Sequence, residues 1–399
     1  MNEKSNLFSK NTNRRAFLRN GTAAGAVAVG AGLLAGKASA FKSDDDDDRA
    51  PITRGDIAIL RFLQALETVE EDLWRQYAEL GGTQDSEFSG LTGGNATYTQ
   101  SLQLLDGDMA QYIHDNTDDE ISHARFIANY LESKGAEPAD LTPFRILPSS
   151  QADGADKTAK RLTNLTQLTI DTSFWTRYRS ITNPDFDPKA KFDLAVPSLN
   201  TGLHAAIPRT NTDTANQDLI NAIAFTAGFH FAFIEQGGSS LYPTLAQKVT
   251  NLEVLRILLS IGPSETMHFQ TWQDKAGNAN AGNPNPFTVN DPVNGSSVTF
   301  IDLSNPALNV GESADEVTNA GKVNQANLIM PEPCHFLNPG FGPVAIVRPT
   351  SDRLNGAKAA VTGLTNDGLF LNPKTGQNTG IVAKLMELAE EADEARRQL

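Results

Sequence analysis

Asp119-Glu120-Ile121-Ser122-His123-Ala124-Arg125-Phe126 and Ser264-Glu265-Thr266-Met267-His268-Phe269 are the two stretches on which the reading of this 399-residue chain turns. Each contains Glu-x-x-His. Residues i and i+3 of a helix lie on one side, so the carboxylate and imidazole of each pair point together. Both stretches fall within runs of helical periodicity, at about 101–134 and 251–275. Two further runs carry the same period, at about 56–80 and from 213 or 214 to the Gly237-Gly238 pair. Gly135, with Pro138 beyond it, and Gly277 read as helix ends.

Writing out each inward stripe in steps of three and four exposes a shared anomaly. The stripes read Leu60, Leu63, Glu67, Glu70, Trp74, Tyr77; Met109, Ile113, Asn116, Glu120, His123, Ile127, Tyr130; Phe225, Gly228, Ala232, Glu235, Ser239, Tyr242; and Leu258, Ile261, Glu265, His268, Trp272. All four are interrupted near the middle by an ionisable residue where an apolar one belongs. With six His and 19 Glu, chance supplies about 0.3 Glu-x-x-His pairs, so the motif alone is weak. Three occur. The third, Glu332-Pro333-Cys334-His335, follows Pro331 and contains a proline, so it cannot be helical and is read as incidental.

Burying a carboxylate without compensation costs several kcal/mol, and four facing one another repel. Two divalent cations offset four carboxylates, and a histidine nitrogen completes each coordination shell. One Glu from each of two helices plus Glu-x-x-His from each of two others is the ligand pattern of di-iron and di-manganese bundles. The candidate ligands are therefore Glu67 (or Glu70), Glu120 with His123, Glu235, and Glu265 with His268. His230 lies off its stripe and reads as a packed histidine; His114 and His204 carry no partner pattern. Gly228 and Ala232 leave space that could be a small cavity for oxygen or peroxide, or simply close helix packing.

The chain resembles the ferritin-like superfamily, and more narrowly its exported ferritin-like domain proteins, which include bacterial twin-arginine members and plant desiccation-related proteins. The resemblance rests on LETVEEDLW (Leu66–Trp74), DEISHARFIANYLESKGAEP (Asp119–Pro138), IEQGGSSLYPTLAQKV (Ile234–Val249) and SETMHFQTW (Ser264–Trp272). It implies a mainly α fold, a ferritin-like four-helix bundle over 55–277, with a pair of Fe or Mn ions. In that family the first-helix ligand resembles a Glu seven residues before an aromatic, which fits Glu67 with Trp74 and also Glu70 with Tyr77. Pro263 should kink or restart the fourth helix, and Gly237-Gly238 should weaken the third.

Around the bundle, 141–212 reads as a long insertion, with Leu165–Arg179 as hairpin or short helix. Residues 278–399 read as an irregular, partly β extension rich in Asn, Gly and Pro. It has β-like runs at Val298–Leu303 and Val344–Val347 and a final helix over Ile381–Gln398. The first 40 residues have the form of a twin-arginine export signal: Arg14-Arg15, a weakly apolar stretch from Gly21 to Gly36, then Ala38-Ser39-Ala40. That stretch is too short and glycine-rich for a stable membrane anchor. Residues 41–54, with Asp44–Asp48, read as an acidic flexible spacer.

Cleavage after Ala40 leaves 27 basic against 47 acidic residues, a net charge of −20. Such a charge argues against nucleic-acid partners. A single cysteine, Cys334, excludes an intramolecular disulfide framework. The expectation is a periplasmic or secreted protein whose partners are the twin-arginine export machinery and, as small-molecule substrate, dioxygen or peroxide; a homodimer is compatible with the chain. Ferroxidase-like and manganese-catalase-like activities both fit. The alternative is a non-catalytic stress or desiccation-related protein in which metal merely cements the helices.

Overall fold

A computed structural model describes residues 51–86, 90–177, 194–303, 305, 332–333, 343–344 and 356–398. The first 40 residues, read above as an export signal, most of the 41–54 stretch, Cys334 and His335 lie outside these residues. The protein is mainly helical. Four long helices carry the sequence stripes: α1 (Arg54–Gly81), α3 (Met109–Ser133), α6 (Gln217–Ala246) and α7 (Leu252–Ala276). Shorter helices are α2 (Ala96–Leu102), α4 (Ser173–Arg177), α5 (Asn211–Thr214), α8 (Gly356–Asn366) and α9 (Ile381–Glu394).

The helix ends are built from their own side chains. Thr53 and Asp56 form a reciprocal capping box, the Asp56 amide donating to Thr53 Oγ1 at 3.1 Å and the Thr53 amide to Asp56 Oδ2 at 3.0 Å. Asp56 Oδ1 also accepts from the Thr250 amide at 2.9 Å, which ties the start of α1 to the turn between α6 and α7. Asn216 and Asn251 cap α6 and α7. Past α3, Gly135 takes φ +74°, and the Ala136 amide returns to the Leu131 carbonyl at 2.9 Å, a left-handed helix stop.

Three features differ from the expectation. The run at about 101–134 is two helices, because the turn around Asp106-Gly107-Asp108 separates α2 from α3. The third long helix does not end at Gly237-Gly238 but continues to Ala246, and α7 runs through Pro263 without restarting. Burial of the flanking turns outweighs the propensity cost of two glycines.

α1 packs on α3 and α6 on α7. The insertion is fastened to the outer acids of α1. Asp72 accepts from the Leu162 and Thr163 amides at 2.9 and 3.0 Å and pairs with Arg145, while Glu79 pairs with Arg161 at 2.6 Å. β1 (Leu147–Pro148) and β2 (Lys160–Arg161) form a short antiparallel pair there, and Leu165–Arg179 includes the helix α4.

Beyond α7, β3 (Phe287–Asn290) and β4 (Ser297–Phe300) make a hairpin, with Phe287 opposite Phe300. Both rings meet Phe225 of α6 edge-on, with centroids 5.8 and 5.3 Å away. β5 (Glu332–Pro333) pairs with β6 (Pro343–Val344), and β7 (Leu371–Asn372) with β8 (Gln377–Asn378). α8 was not foreseen. It packs on α6 and α9, and α9 packs on α1, so Ala357, Val361, Leu385 and Leu388 belong to the same core as the long helices. None of the described helices is long and apolar enough to cross a membrane.

Candidate metal centre

The mid-helix acids of all four long helices meet. Glu67 from α1, Glu120 and His123 from α3, and Glu265 from α7 each offer a ligand atom within 4.8 Å of the others. Glu120, Glu265, Glu235 from α6 and His268 from α7 form a second such set. Glu120 and Glu265 belong to both. Glu120, Glu235 and Glu265 are fully buried, Glu67 is 2 % exposed, and the imidazoles form the outer edge of the cluster.

The histidine contacts are those of nitrogens facing a common centre. His123 Nδ1 lies 3.2 Å from Glu120 Oε2, 3.3 Å from Glu67 Oε2 and 3.3 Å from Glu265 Oε1. A single ring N–H cannot serve three acceptors, whereas a lone pair directed at a cation among those oxygens can. On the other side, His268 Nδ1 is 3.1 Å from Glu120 Oε1 and 3.3 Å from Glu235 Oε2. Glu120 thus turns one oxygen toward each imidazole. The rings lie 6.3 Å apart, and their outer nitrogens are held by Ser264 Oγ at 3.3 Å and Asp119 Oδ2 at 3.1 Å. Outer-shell partners of this kind fix the tautomer and aim the ligating nitrogen.

Comparison with other buried acids of α1 shows what is peculiar here. Asp72 and Glu79 are surrounded by guanidinium and amide donors. In the cluster, Glu67 Oε2, Glu235 Oε2, both Glu265 oxygens and His268 Nδ1 are buried with no hydrogen-bond partner among the described residues. Orphaned buried carboxylate oxygens are costly, and these are aimed at one another. The donor set of carboxylate and imidazole, with no thiolate, suits a hard or borderline divalent ion.

The electrostatics follow. Burial and the neighbouring Glu235 push the Glu120 carboxyl up to about 7. Burial, with the Glu120 and Glu67 charges, holds Glu265 well above the usual carboxylate range. Burial also raises Glu67, but the close imidazole of His123 and its charge outweigh it, and with the Tyr242 hydroxyl draw this group below its ordinary value. Burial disfavours imidazolium, yet the surrounding carboxylates hold both His123 and His268 well above the ordinary histidine value. Glu120 and Glu265 hold their protons more tightly than free carboxyls, and both imidazoles gain them. Both displacements mark a cluster short of positive charge.

Residues the sequence reading did not single out complete the site. Asn116 Nδ2 donates to Glu120 Oε1 at 2.9 Å and Glu235 Oε1 at 3.0 Å, and its Oδ1 accepts from the Trp272 indole at 2.7 Å. The indole therefore fixes which way the amide faces. Tyr242 donates to Glu67 Oε1 in a short hydrogen bond. Trp74, Phe231 and Trp272 stack into an aromatic wall with centroids 4.7 to 5.3 Å apart. Asn116 and Tyr242 both lie on the inward stripes, one turn before Glu120 and two turns after Glu235, and that spacing was the available signal.

Glu70 stands apart from both four-residue sets. It lies beside them, raised well above the carboxylate range by burial and then by the charges of Glu265, Glu120, Glu67 and Glu235. The choice left open between Glu67 and Glu70 thus falls geometrically on Glu67. His230 hydrogen-bonds Tyr77 at 2.7 Å and Asp367 at 3.1 Å, fully buried and away from the cluster. His204 holds the carbonyls of Ser198 and Thr201, and His114 meets Asp85. Gly228 lines no oxygen-sized void: a Cβ there would lie 2.8 Å from Leu105 Cδ1, so the glycine serves close packing. No family model, curated protein or solved structure matches the chain.

Proposed function

We propose that this chain is a ferritin-like four-helix bundle protein that holds two divalent transition-metal ions, Fe or Mn, and performs redox chemistry on dioxygen or peroxide. The reading is carried by one observation: two ligand sets, each with one imidazole, share Glu120 and Glu265 at the centre of four helices. Glu67 and His123 would hold one ion and Glu235 and His268 the other, with the shared carboxylates between them. When bound, such ions supply Lewis acidity and one-electron steps for an oxygen species.

The protein's own part is positioning. Ser264 and Asp119 orient the imidazoles, Tyr242 and Asn116 hold the carboxylates, and the aromatic wall keeps water from the inner side. Arg14-Arg15 and the small residues before Phe41 support export by the twin-arginine route to the periplasm or beyond, a route suited to a protein that acquires its metals before crossing.

The test is elemental analysis of protein purified from its native compartment, followed by dioxygen- and peroxide-consumption assays. Near two equivalents of Fe or Mn with metal-dependent turnover is the expected result. Absence of Fe, Mn and Zn sinks the proposal. Full metal content without turnover replaces it with the non-catalytic, stress- or desiccation-related alternative.

A further inference from the structure

A cavity of about 230 Å³ opens beside the carboxylate cluster, between α1, α6 and α8. Leu63 and Leu66 of α1, Phe233 and Leu241 of α6, and Leu364 of α8 give it aliphatic and aromatic walls. Glu67 and Glu70 form its acidic end, and Asp171 stands at its exposed edge. A water molecule needs only roughly 10–15 Å³ of such space, so dioxygen or hydrogen peroxide would fill a small part of it. Gln236, Ser240 and Tyr242 of α6 also line it, and largely apolar walls with a few polar groups are the build of a site for an organic molecule.

Glu70 supplies the second observation. It is 9 % exposed, belongs to neither ligand set, lines the cavity and receives no hydrogen bond from a described residue. Its oxygens are not among the sealed atoms that lack a partner, so they open onto the cavity, where a head group can hydrogen-bond to them. The same acidic end repels carboxylates and phosphates, so that head is not an anion, and the peroxide chemistry proposed for the neighbouring cluster makes it a hydroperoxide.

We propose that this cavity binds a small organic hydroperoxide, its apolar body between α1, α6 and α8 and its head against Glu70 at the edge of the cluster. The proposal rests on the peroxide reading above and names the substrate class for that site. Glu70 is then a substrate-binding residue rather than a metal ligand.

The roof helix α8 is fixed from α9: Asp393 accepts from the Ala357 and Lys358 amides, both at 3.0 Å. Gly237 and Gly363 line the cavity, and a Cβ added at either meets nothing within 4 Å. Both lie inside helices, where leucine is favoured over glycine, so Gly237→Leu and Gly363→Leu fill space without opposing the fold.

The experiment uses cumyl alcohol, the redox-inert counterpart of cumene hydroperoxide, with benzoate as its anionic control. Binding to the purified full chain is followed by calorimetry, with thermal unfolding and metal content measured on the same samples. Cumyl alcohol should bind, benzoate should bind at least about tenfold more weakly, and each filling variant should lose about tenfold or more in alcohol affinity. Glu70→Leu should weaken the alcohol, and Glu70→Gln, which keeps a hydrogen-bonding end, should retain most of it. No alcohol binding to protein that holds its metals overturns the cavity assignment, as does unchanged binding in the filled variants. Alcohol binding to protein that holds no metal keeps the cavity and overturns the metal reading instead.

Discussion

Gly238 offers a substitution that ordinary helix chemistry and the site geometry judge in opposite ways. Inside an exposed helix, Gly→Ala is stabilising by about 1 kcal/mol, since alanine loses less backbone freedom. At Gly238 the added Cβ would stand 2.5 Å from Glu265 Oε2 and 3.2 Å from its Cγ and Cδ. The carboxylate would have to retreat by about 0.9 Å to reach ordinary contact. Ligand constellations tolerate about 0.5 Å, and a displacement near 1 Å costs on the order of a hundredfold in function.

The neighbour Gly237 is an internal control, because a Cβ there meets nothing within 4 Å. Gly237→Ala should raise the melting temperature by about 2 °C, the size expected from 1 kcal/mol in a large domain. Gly238→Ala should weaken metal binding by about 10- to 100-fold, and saturating metal should raise its melting temperature less than it raises that of the wild type. Metal titration with thermal unfolding of both variants reads the difference. Wild-type metal affinity in Gly238→Ala would refute the placement of Glu265 against α6, and with it the shared-carboxylate geometry.

Three further outcomes follow from the same geometry. In metal-free protein the Glu120 carboxyl, raised from 4.5 to about 7, stabilises the fold fully below pH 4.5 and loses that contribution as pH rises through 7. The interval is worth on the order of 3 kcal/mol, so stripped protein should melt lower at pH 7 than at pH 4.5. Added Fe or Mn should reverse that trend, because binding displaces protons; a melting temperature independent of pH and metal contradicts it.

Asn116→Leu removes the donor shared by Glu120 and Glu235 and strands the Trp272 indole. Chemical denaturation should report about 1–3 kcal/mol of lost stability, and an unchanged midpoint would show that the amide is dispensable. Asp393→Ala uncaps α8, a loss of about 0.5–2 kcal/mol. Hydrogen exchange should then quicken in α8 while α3 and α7 keep their protection; uniform exchange would contradict a local cap.

The helical periodicity and the acids that break it are local properties, and they were legible because burial writes a period into the chain. Four stripes, each with an ionisable residue at its middle, were enough to nominate Glu67 or Glu70, Glu120, His123, Glu235, Glu265 and His268. Local rules misjudged the ends. Gly237-Gly238 looked like a stop, yet α6 runs on to Ala246, because packing outweighs a propensity difference of about 1 kcal/mol per glycine. The same pair shows why sequence could not explain itself: Gly238 is needed by a carboxylate 27 positions away in the chain.

Only the tertiary structure decided between Glu67 and Glu70. Both lie on the inward stripe of one helix, three residues apart, and only distances to α3 and α7 separate them. The same holds for α8, whose eleven residues carry a modest pattern of their own but roof a cavity formed by helices far earlier in the chain. Sequence carries what a residue costs to bury; the fold alone supplies which other groups it will meet when buried.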